Sequence, residues 1–277
     1  MIINTVMITP MVFNTGETQE ELRNKYNPEG SDLRKAQLRI LDILKYIDQI
    51  CREQGISYAL DSGNVLGAYR HGGFIPWDDD ADIIMERKDY KRFCRFVEKH
   101  PHPQFVIQNH KTDHHFYQLN SVMRDLKSEY IQDSPMHLCR KYRGMQVDIF
   151  PIERGAFRGL HKFMGHFNSV INGRLAGRYN FLAEILYWCS LISAAFARGI
   201  SRLFGNQNVC MYYYSSSFPD VYCYEDLFPA KPLQYEDTVL MGPGNVEAFL
   251  HSQYGDYMSL PPVEIRNHHE VMQYRTD

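Results

Sequence analysis

The chain has 277 residues, 44% of them hydrophobic and 23% charged, a balance that supports one large or two smaller packed domains and excludes a disordered protein. Its formal charge of −3 at neutral pH gives no broad basic field, which excludes bulk electrostatic capture of nucleic acid and leaves a small-molecule partner as the expectation. Cys51, Cys94, Cys139, Cys189, Cys210 and Cys223 form no CxxC pair and no metal-finger spacing, so they read as free buried thiols in a reducing compartment.

In chain order, residues 1–30 open with "MIINTVMITPMVFNTG", which lacks a basic leader and is broken by Asn4, Thr5, Thr9 and Pro10; it reads as a tail or strand and not as a signal peptide. From Ser31, a plausible N-cap, Leu33, Ala36, Ile40, Leu44, Ile47 and Cys51 recur at helical spacing until Gly55, which predicts an amphipathic helix. "ISYAL" (56–60) reads as a strand, Asp61-Ser62-Gly63-Asn64 opens a short helix through Ala68, and "DIIM" (82–85) reads as a buried strand. A helix over 87–100 turns Phe93, Phe96 and Val97 inward and is ended by Pro101 and Pro103. Residues 104–108, 116–124 and 145–152 are further strand candidates.

After Pro151 a long helical region is predicted from Phe157 to Phe204. Within it "ILYWCSLISAAFA", Ile185 to Ala197, is uncharged but shorter than the ~20 residues a spanning helix needs. It reads first as a buried core helix, with a helix lying on a membrane surface as the alternative. A Tyr-rich segment (211–235) and Pro/Gly turns follow. The fold class expected is α+β: a mixed sheet with helices, followed by a mainly helical lobe. Residues 1–30 form the tail or strand, 31–153 the core that holds the site, and 154–277 the helical lobe with a C-terminal motif completing it.

The stretch "GFIPWDDDADIIM" (73–85) puts four carboxylates into five positions between apolar runs. So many like charges would take up protons unless a cation sat among them. Asp80 and Asp82 are two residues apart at the start of a strand, where period-two geometry sends both side chains to one face. Asp148, between Val147 and Ile149 in another apolar strand, is the natural third carboxylate, since an unpaired charge there would be costly. Asp78, Asp80, Asp82 and Asp89 also match positions of a calcium loop, but Ile83 stands where that loop needs glycine. An acidic turn serving only solubility is the other reading. Upstream, Ser62-Gly63-Asn64 lies between a strand and a helix N-terminus, a place where a phosphate could sit. Strand, Ser-Gly turn, D-x-D and a later Asp make the general layout of a nucleotidyltransferase site. Arg70, His71 and Arg124 are candidate phosphate ligands, with helix-capping or surface roles as the alternative.

"LDSGNVLGAYRHGGFIPWDDDADIIMERKDYKRF" (60–93) closely resembles the signature of the LicD family, bacterial phosphocholine transferases related to the fukutin proteins and placed in the nucleotidyltransferase superfamily. "MQVDIFPIE" (145–153), residues 227–262 and the closing "RNHH" (266–269) fit the same family, so the resemblance runs from about Leu33 to His269. It implies transfer of a phospho-alcohol such as phosphocholine from a CDP-activated donor to a sugar hydroxyl of a surface glycan or its precursor, with release of CMP. By matching positions, Ser62 and Gly63 would hold phosphate, and Asp80, Asp82 and Asp148 would bind Mg²⁺, as one or two ions with Mn²⁺ as a substitute. Asp78 would be an additional ligand or support the others, and His268 would reach the nucleotide.

The sequence departs from the family at Asn64, where Thr is frequent, and at Tyr235-Glu236-Asp237, where Phe-Glu-Gly is usual. These leave the alcohol open. A choline head would need an aromatic cage; Trp77, Tyr117 and Tyr130 lie nearest the motifs, with a core role as the alternative for each. Two other functions stay in view: attack on the α-phosphorus of an NTP, and a catalytically inactive nucleotide- or glycan-binding protein. The expected location is the cytoplasm, with peripheral contact at the inner membrane face if the acceptor is lipid-linked.

Overall fold

The computed structural model describes residues 12–155, 163, 166, 169–212, 221–266 and 273–276. Helix α1 (Gln19–Tyr26) starts at a capping box in which the Thr18 hydroxyl accepts from the Glu21 N–H and the Glu21 carboxylate accepts from the Thr18 N–H. The sequence reading passed over it. Helix α2 (Asp32–Gln54) is capped by Ser31, whose Oγ accepts from the Arg34 N–H, and closes on Gly55 in the left-handed conformation. Its apolar stripe packs into the main core, as its spacing predicted.

Strand β1 is only Ala59–Leu60, because Ile56 and Ser57 are used to leave α2. Helix α3 (Ser62–His71), β2 (Asp82–Glu86), α4 (Arg87–Lys99) and β3 (Phe105–Gln108) follow as expected. Strand β4 (Ser121–Asp125) starts later than its sequence suggested, β5 is Ser128–Ile131, and α5 is a single turn, Pro135–Leu138. Strand β6 (Gln146–Arg154) pairs parallel with β2 on one side and antiparallel with β4 on the other.

Beyond β6, a π-helical turn (Ile171–Leu175) leads into α6 (Asn180–Phe204). Strands β7 (Val209–Tyr212) and β8 (Val221–Cys223) then return to the same sheet, β7 pairing with the far end of β6. The seven-stranded sheet has the order β1-β2-β6-β4-β3, with β7 and β8 continuing beside β6. After the short α7 (Tyr224–Leu227), β9 (Lys231–Tyr235) and β10 (Thr238–Gly242) form a hairpin, α8 spans Val246–Tyr254, and β11 (Gln273–Thr276) pairs with β5. The fold is α+β with a mostly antiparallel mixed sheet.

Two expectations need correction. Cys51, Cys94 and Cys210 are buried free thiols, but Cys189 and Cys223 are exposed, because α6 and the end of β8 turn them to solvent. The segment Ile185–Ala197 is not a buried core helix: it belongs to a 25-residue helix, long and apolar enough to cross a membrane by length and composition, with only 28% of its apolar window buried.

Candidate active site

The parallel register sets Asp82 of β2 opposite Asp148 of β6. Two carboxylates therefore leave neighbouring strands at one level, about 4.8 Å apart along the sheet. Backbone bonds lock this corner, with the Asp148 N–H donating to Ala81 O at 2.9 Å and the Asp61 N–H to Asp82 O at 3.0 Å. Two side-chain amides aim Asp148: Asn120 Nδ2 donates to Oδ1 at 3.1 Å and Gln146 Nε2 to Oδ2 at 2.7 Å. Each oxygen keeps a second lone pair for another partner.

Above this pair lies the start of α3. Ser62 holds φ 43°, left-handed for a non-glycine residue, the kind of strain that collects at functional sites. At the first turn of a helix the N–H groups have no intrahelical partner, so those of Ser62 and Gly63 suit an anion. A Cβ on Gly63 would lie 3.0 Å from Asp78 Oδ2, so the hydrogen there lets the acidic loop approach the helix start. Asn64 ties the two together, its Oδ1 accepting from the Asp82 N–H at 2.6 Å while its Nδ2 donates to the Tyr235 hydroxyl. Asp61, fully buried, accepts from Ser62 Oγ and from the Tyr222 hydroxyl.

The electrostatics follow from this crowding. Asp82 keeps partial surface exposure, yet its carboxyl is pushed well above the usual range, first by desolvation and then by Asp80, Asp148, Asp61 and Asp78. Asp148 is pushed up to about 6 by desolvation, with Asp80 adding to the rise and Arg124, Arg140 and the Asn120 amide opposing it. A hard divalent cation would relieve the repulsion, and a carboxylate-only donor set is the kind Mg²⁺ takes. Among the described residues no three Asp, Glu, His or Cys side chains already converge on one coordination point. The residues thus fit a cation by charge and donor chemistry, with the Asp82–Asp148 pair as the fixed part and Asp80 and Asp78 on the adjoining loop.

The other predicted residues are placed differently. Arg124, fully buried, donates to Gln108 Oε1 and Gly144 O while its Nη2 has no hydrogen-bond partner, and burial and Arg140 push it down to about 9 against the pull of Asp148. Arg70 and His71 close the far end of α3, ~13 Å along the helix from Ser62, and the structure does not bring them to the carboxylates. The Arg70 guanidinium is spent on His71 Nε2 and on the carbonyls of Tyr257 and Ser259. His71 accepts that bond and faces Gln19 Oε1 at 2.5 Å through Nδ1, so it is held neutral, pushed down to about 3 by burial first and then by Arg70. Trp77 packs edge-on against Tyr26 with the Arg266 guanidinium over its ring, and Tyr117 packs beneath α6; both are core residues. Tyr130 is buried within electrostatic reach of Asp79 and Asp80, and burial with those charges pushes its phenol up. His268 lies outside the described residues.

Several site residues escaped the sequence reading. Arg140 is buried within reach of Asp148, its Nε and Nη2 without hydrogen-bond partners. Gln37, fully buried on α2, donates to the carbonyls of Ile75 and Asp78 and accepts from Asn27, fixing the acidic loop. Glu236 takes a bidentate grip from Arg34 and accepts the Phe74 N–H, and its carboxylate fills the space where Gly73 would carry a Cβ. A signal existed for Gln37, a polar residue inside an apolar helical stripe. None existed for Arg140, which depends on how the loop after α5 folds back.

A mixed sheet sets paired aspartates on adjacent parallel strands beneath a strained Ser-Gly helix start, the layout that the sequence led us to expect. Residues 55–169 match the family described as LicD/FKTN/FKRP, nucleotidyltransferase domain. Among curated proteins, the chain is similar to the lipopolysaccharide cholinephosphotransferase LicD of Haemophilus influenzae, 50% identical over 72 residues, 25% of this chain and 27% of that protein. It is also similar to an uncharacterized protein of Rickettsia prowazekii, 26% identical over 151 residues, 47% and 54% of the two chains. The human ribitol 5-phosphate transferase FKRP is 44% identical over 45 residues, 16% of this chain and 9% of FKRP. The matched parts thus span about a quarter to a half of the two bacterial relatives.

Proposed function

We propose that this protein transfers a phospho-alcohol, with phosphocholine the first candidate, from a CDP-activated donor to a sugar hydroxyl of a cell-surface glycan or its precursor, releasing CMP. The observation that supports it most is the parallel register of Asp82 and Asp148 beneath the N-terminus of α3. Two relatives, one a lipopolysaccharide cholinephosphotransferase and one a ribitol 5-phosphate transferase, point to the same reaction class.

In this reading Asp80, Asp82 and Asp148 hold Mg²⁺, with Asp78 as an added ligand, and the ion supplies charge neutralisation of the donor diphosphate. Ser62, Gly63 and the open N–H groups of α3 take phosphate oxygens, while buried Arg124 and Arg140 offer unpartnered guanidinium nitrogens to the same anion. The acceptor oxygen attacks the phosphorus that bears the alcohol. A new O–P bond forms as the bridging P–O bond breaks, the electron pair leaves with CMP, and the acceptor proton passes to a carboxylate oxygen of Asp148. Asn120 and Gln146 keep that carboxylate in place throughout. The setting is cytoplasmic, where such donors are made.

A mass-spectrometric screen of CDP-choline, CDP-ethanolamine and CDP-ribitol, with Mg²⁺ and with EDTA, tests the reading through CMP release. Asp82→Asn is expected to lower turnover by about 10²–10³-fold or more, the scale for removing a group that stabilises transition-state charge. Preference for ATP with pyrophosphate release would replace the proposal by nucleotidyl transfer.

A further inference from the structure

Helix α6 buries Ala183, Tyr187, Ser190, Ala194, Ala197 and Ser201, a mostly small-residue seam recurring every three or four residues. On the opposite side, by 3.6-residue periodicity, stand Phe181, Ile185, Trp188, Ile192, Phe196 and Leu203, between 44% and 82% exposed. Scattered exposed apolar residues are ordinary, whereas a continuous outward ridge of large ones marks a surface that is covered in use.

Beside the ridge lies a row of cations. Arg198 and Arg202 on α6, and Arg87, Lys91 and Arg95 on α4, are spaced four apart, so like charges stack on each helix. The two rows feel each other: Lys91 is pushed down by burial and then by Arg87, Arg198, Arg202 and Arg95. Glu153 pairs with Arg87 and lies 3.9 Å from Arg198, while Lys91, Arg95 and Arg202 stand exposed beside them on a chain whose net charge is −3. A partner with an apolar layer and an anionic layer side by side matches both features, and that is a bilayer surface containing anionic lipid. Although α6 is long enough to cross a membrane, its inner seam is packed on the domain. Crossing would draw strand β6 and its neighbours toward hydrocarbon, whereas lying in the headgroup plane needs no such move.

We propose that α6 docks the protein on an anionic lipid bilayer, its apolar ridge seated at the headgroup–acyl boundary and the exposed Lys91, Arg95 and Arg202 on the lipid phosphates. A cavity of about 530 Å³ is lined by α4 and α6 residues, including Lys91 and Leu191, and by Asn120, one of the two amides that aim Asp148. Resting on the transferase reading, docking would bring this opening to the membrane, where a lipid-carried acceptor hydroxyl could reach the carboxylates.

Vesicle co-sedimentation tests the docking without donor or acceptor, so its failure leaves the transferase reading intact and the reverse also holds. The full chain is mixed with vesicles of phosphatidylcholine alone or with one-third phosphatidylglycerol. Binding to the anionic vesicles is expected, and the double variants Ile192→Asp/Phe196→Asp and Arg95→Glu/Arg202→Glu should each weaken it at least about tenfold with unchanged melting temperatures. Wild-type protein remaining in the supernatant, or ridge variants that bind as well as wild type, would overturn the proposal. So would a solution dimer that Ile192→Asp/Phe196→Asp converts to monomer, which would assign the ridge to a second copy of the chain.

Discussion

Two long helices, α2 with 23 residues and α6 with 25, are both amphipathic, and they use their apolar residues in opposite ways. Helix α2 buries Ile40, Leu41, Ile43, Leu44, Ile47 and Ile50 in the main core, and its one buried amide, Gln37, reaches the acidic loop. Helix α6 lays mainly Ala and Ser against the domain and presents Phe, Trp and Ile outward. Large residues facing inward convert hydrophobicity into folding stability; the same residues facing outward leave it available for a partner. So α2 anchors the core and holds the acidic loop through Gln37, and α6 contributes far less to stability per apolar residue.

Truncation gives the sharpest contrast. Ile43→Ala in α2, at a fully buried position, should lower the unfolding free energy by about 2–5 kcal/mol in denaturant titration. If Ile192→Ala in α6 cost as much, the contrast between the helices would collapse.

Acid sensitivity should also sit on the α2–α3 side. His71 accepts a bond from Arg70 and is held neutral, with its pKa pushed down to about 3. The folded value is below the ordinary ~6.5 of an unfolded histidine, so the unfolded chain binds the extra proton first. Stability is unaffected above pH ~6.5 and declines as the pH falls from there toward 3, by up to a few kcal/mol. Asp82 and Asp148, with raised carboxyls, contribute the opposite slope in this window, so the test is the difference between wild type and His71→Asn in urea melts from pH 7 to 4: the wild type should lose more stability toward pH 4, and equal slopes would remove His71 as a source.

Gln37→Ala leaves the carbonyls of Ile75 and Asp78 and the Asn27 amide short of a partner. It should cost about 1–3 kcal/mol and, under the proposed function, raise the Mg²⁺ concentration needed for activity by loosening the Asp78–Asp82 loop. A variant with reduced stability and an unchanged Mg²⁺ titration would separate α2 from the site. The smallest effect belongs to Ile192→Ala, expected within about 0.5 kcal/mol of wild type because the residue is 71% exposed.

Sequence alone was enough for the elements whose cause is local. Ser31 and Gly55 bound α2, and helical spacing turns its apolar stripe inward. The signature over 60–93 added the family resemblance, which the match over residues 55–169 supports. What depends on contacts between distant segments was not legible. The pairing of Asp82 with Asp148 needs the parallel register of strands more than 60 residues apart in sequence. The diversion of Arg70 to the carbonyls of Tyr257 and Ser259, and the arrival of Arg140 beside Asp148, depend on where loops return. For α6, periodicity locates two faces but not which one meets the domain, since helical spacing is the same inward and outward. Only packing chose the small residues for the inner seam, because they let the helix lie close against the sheet.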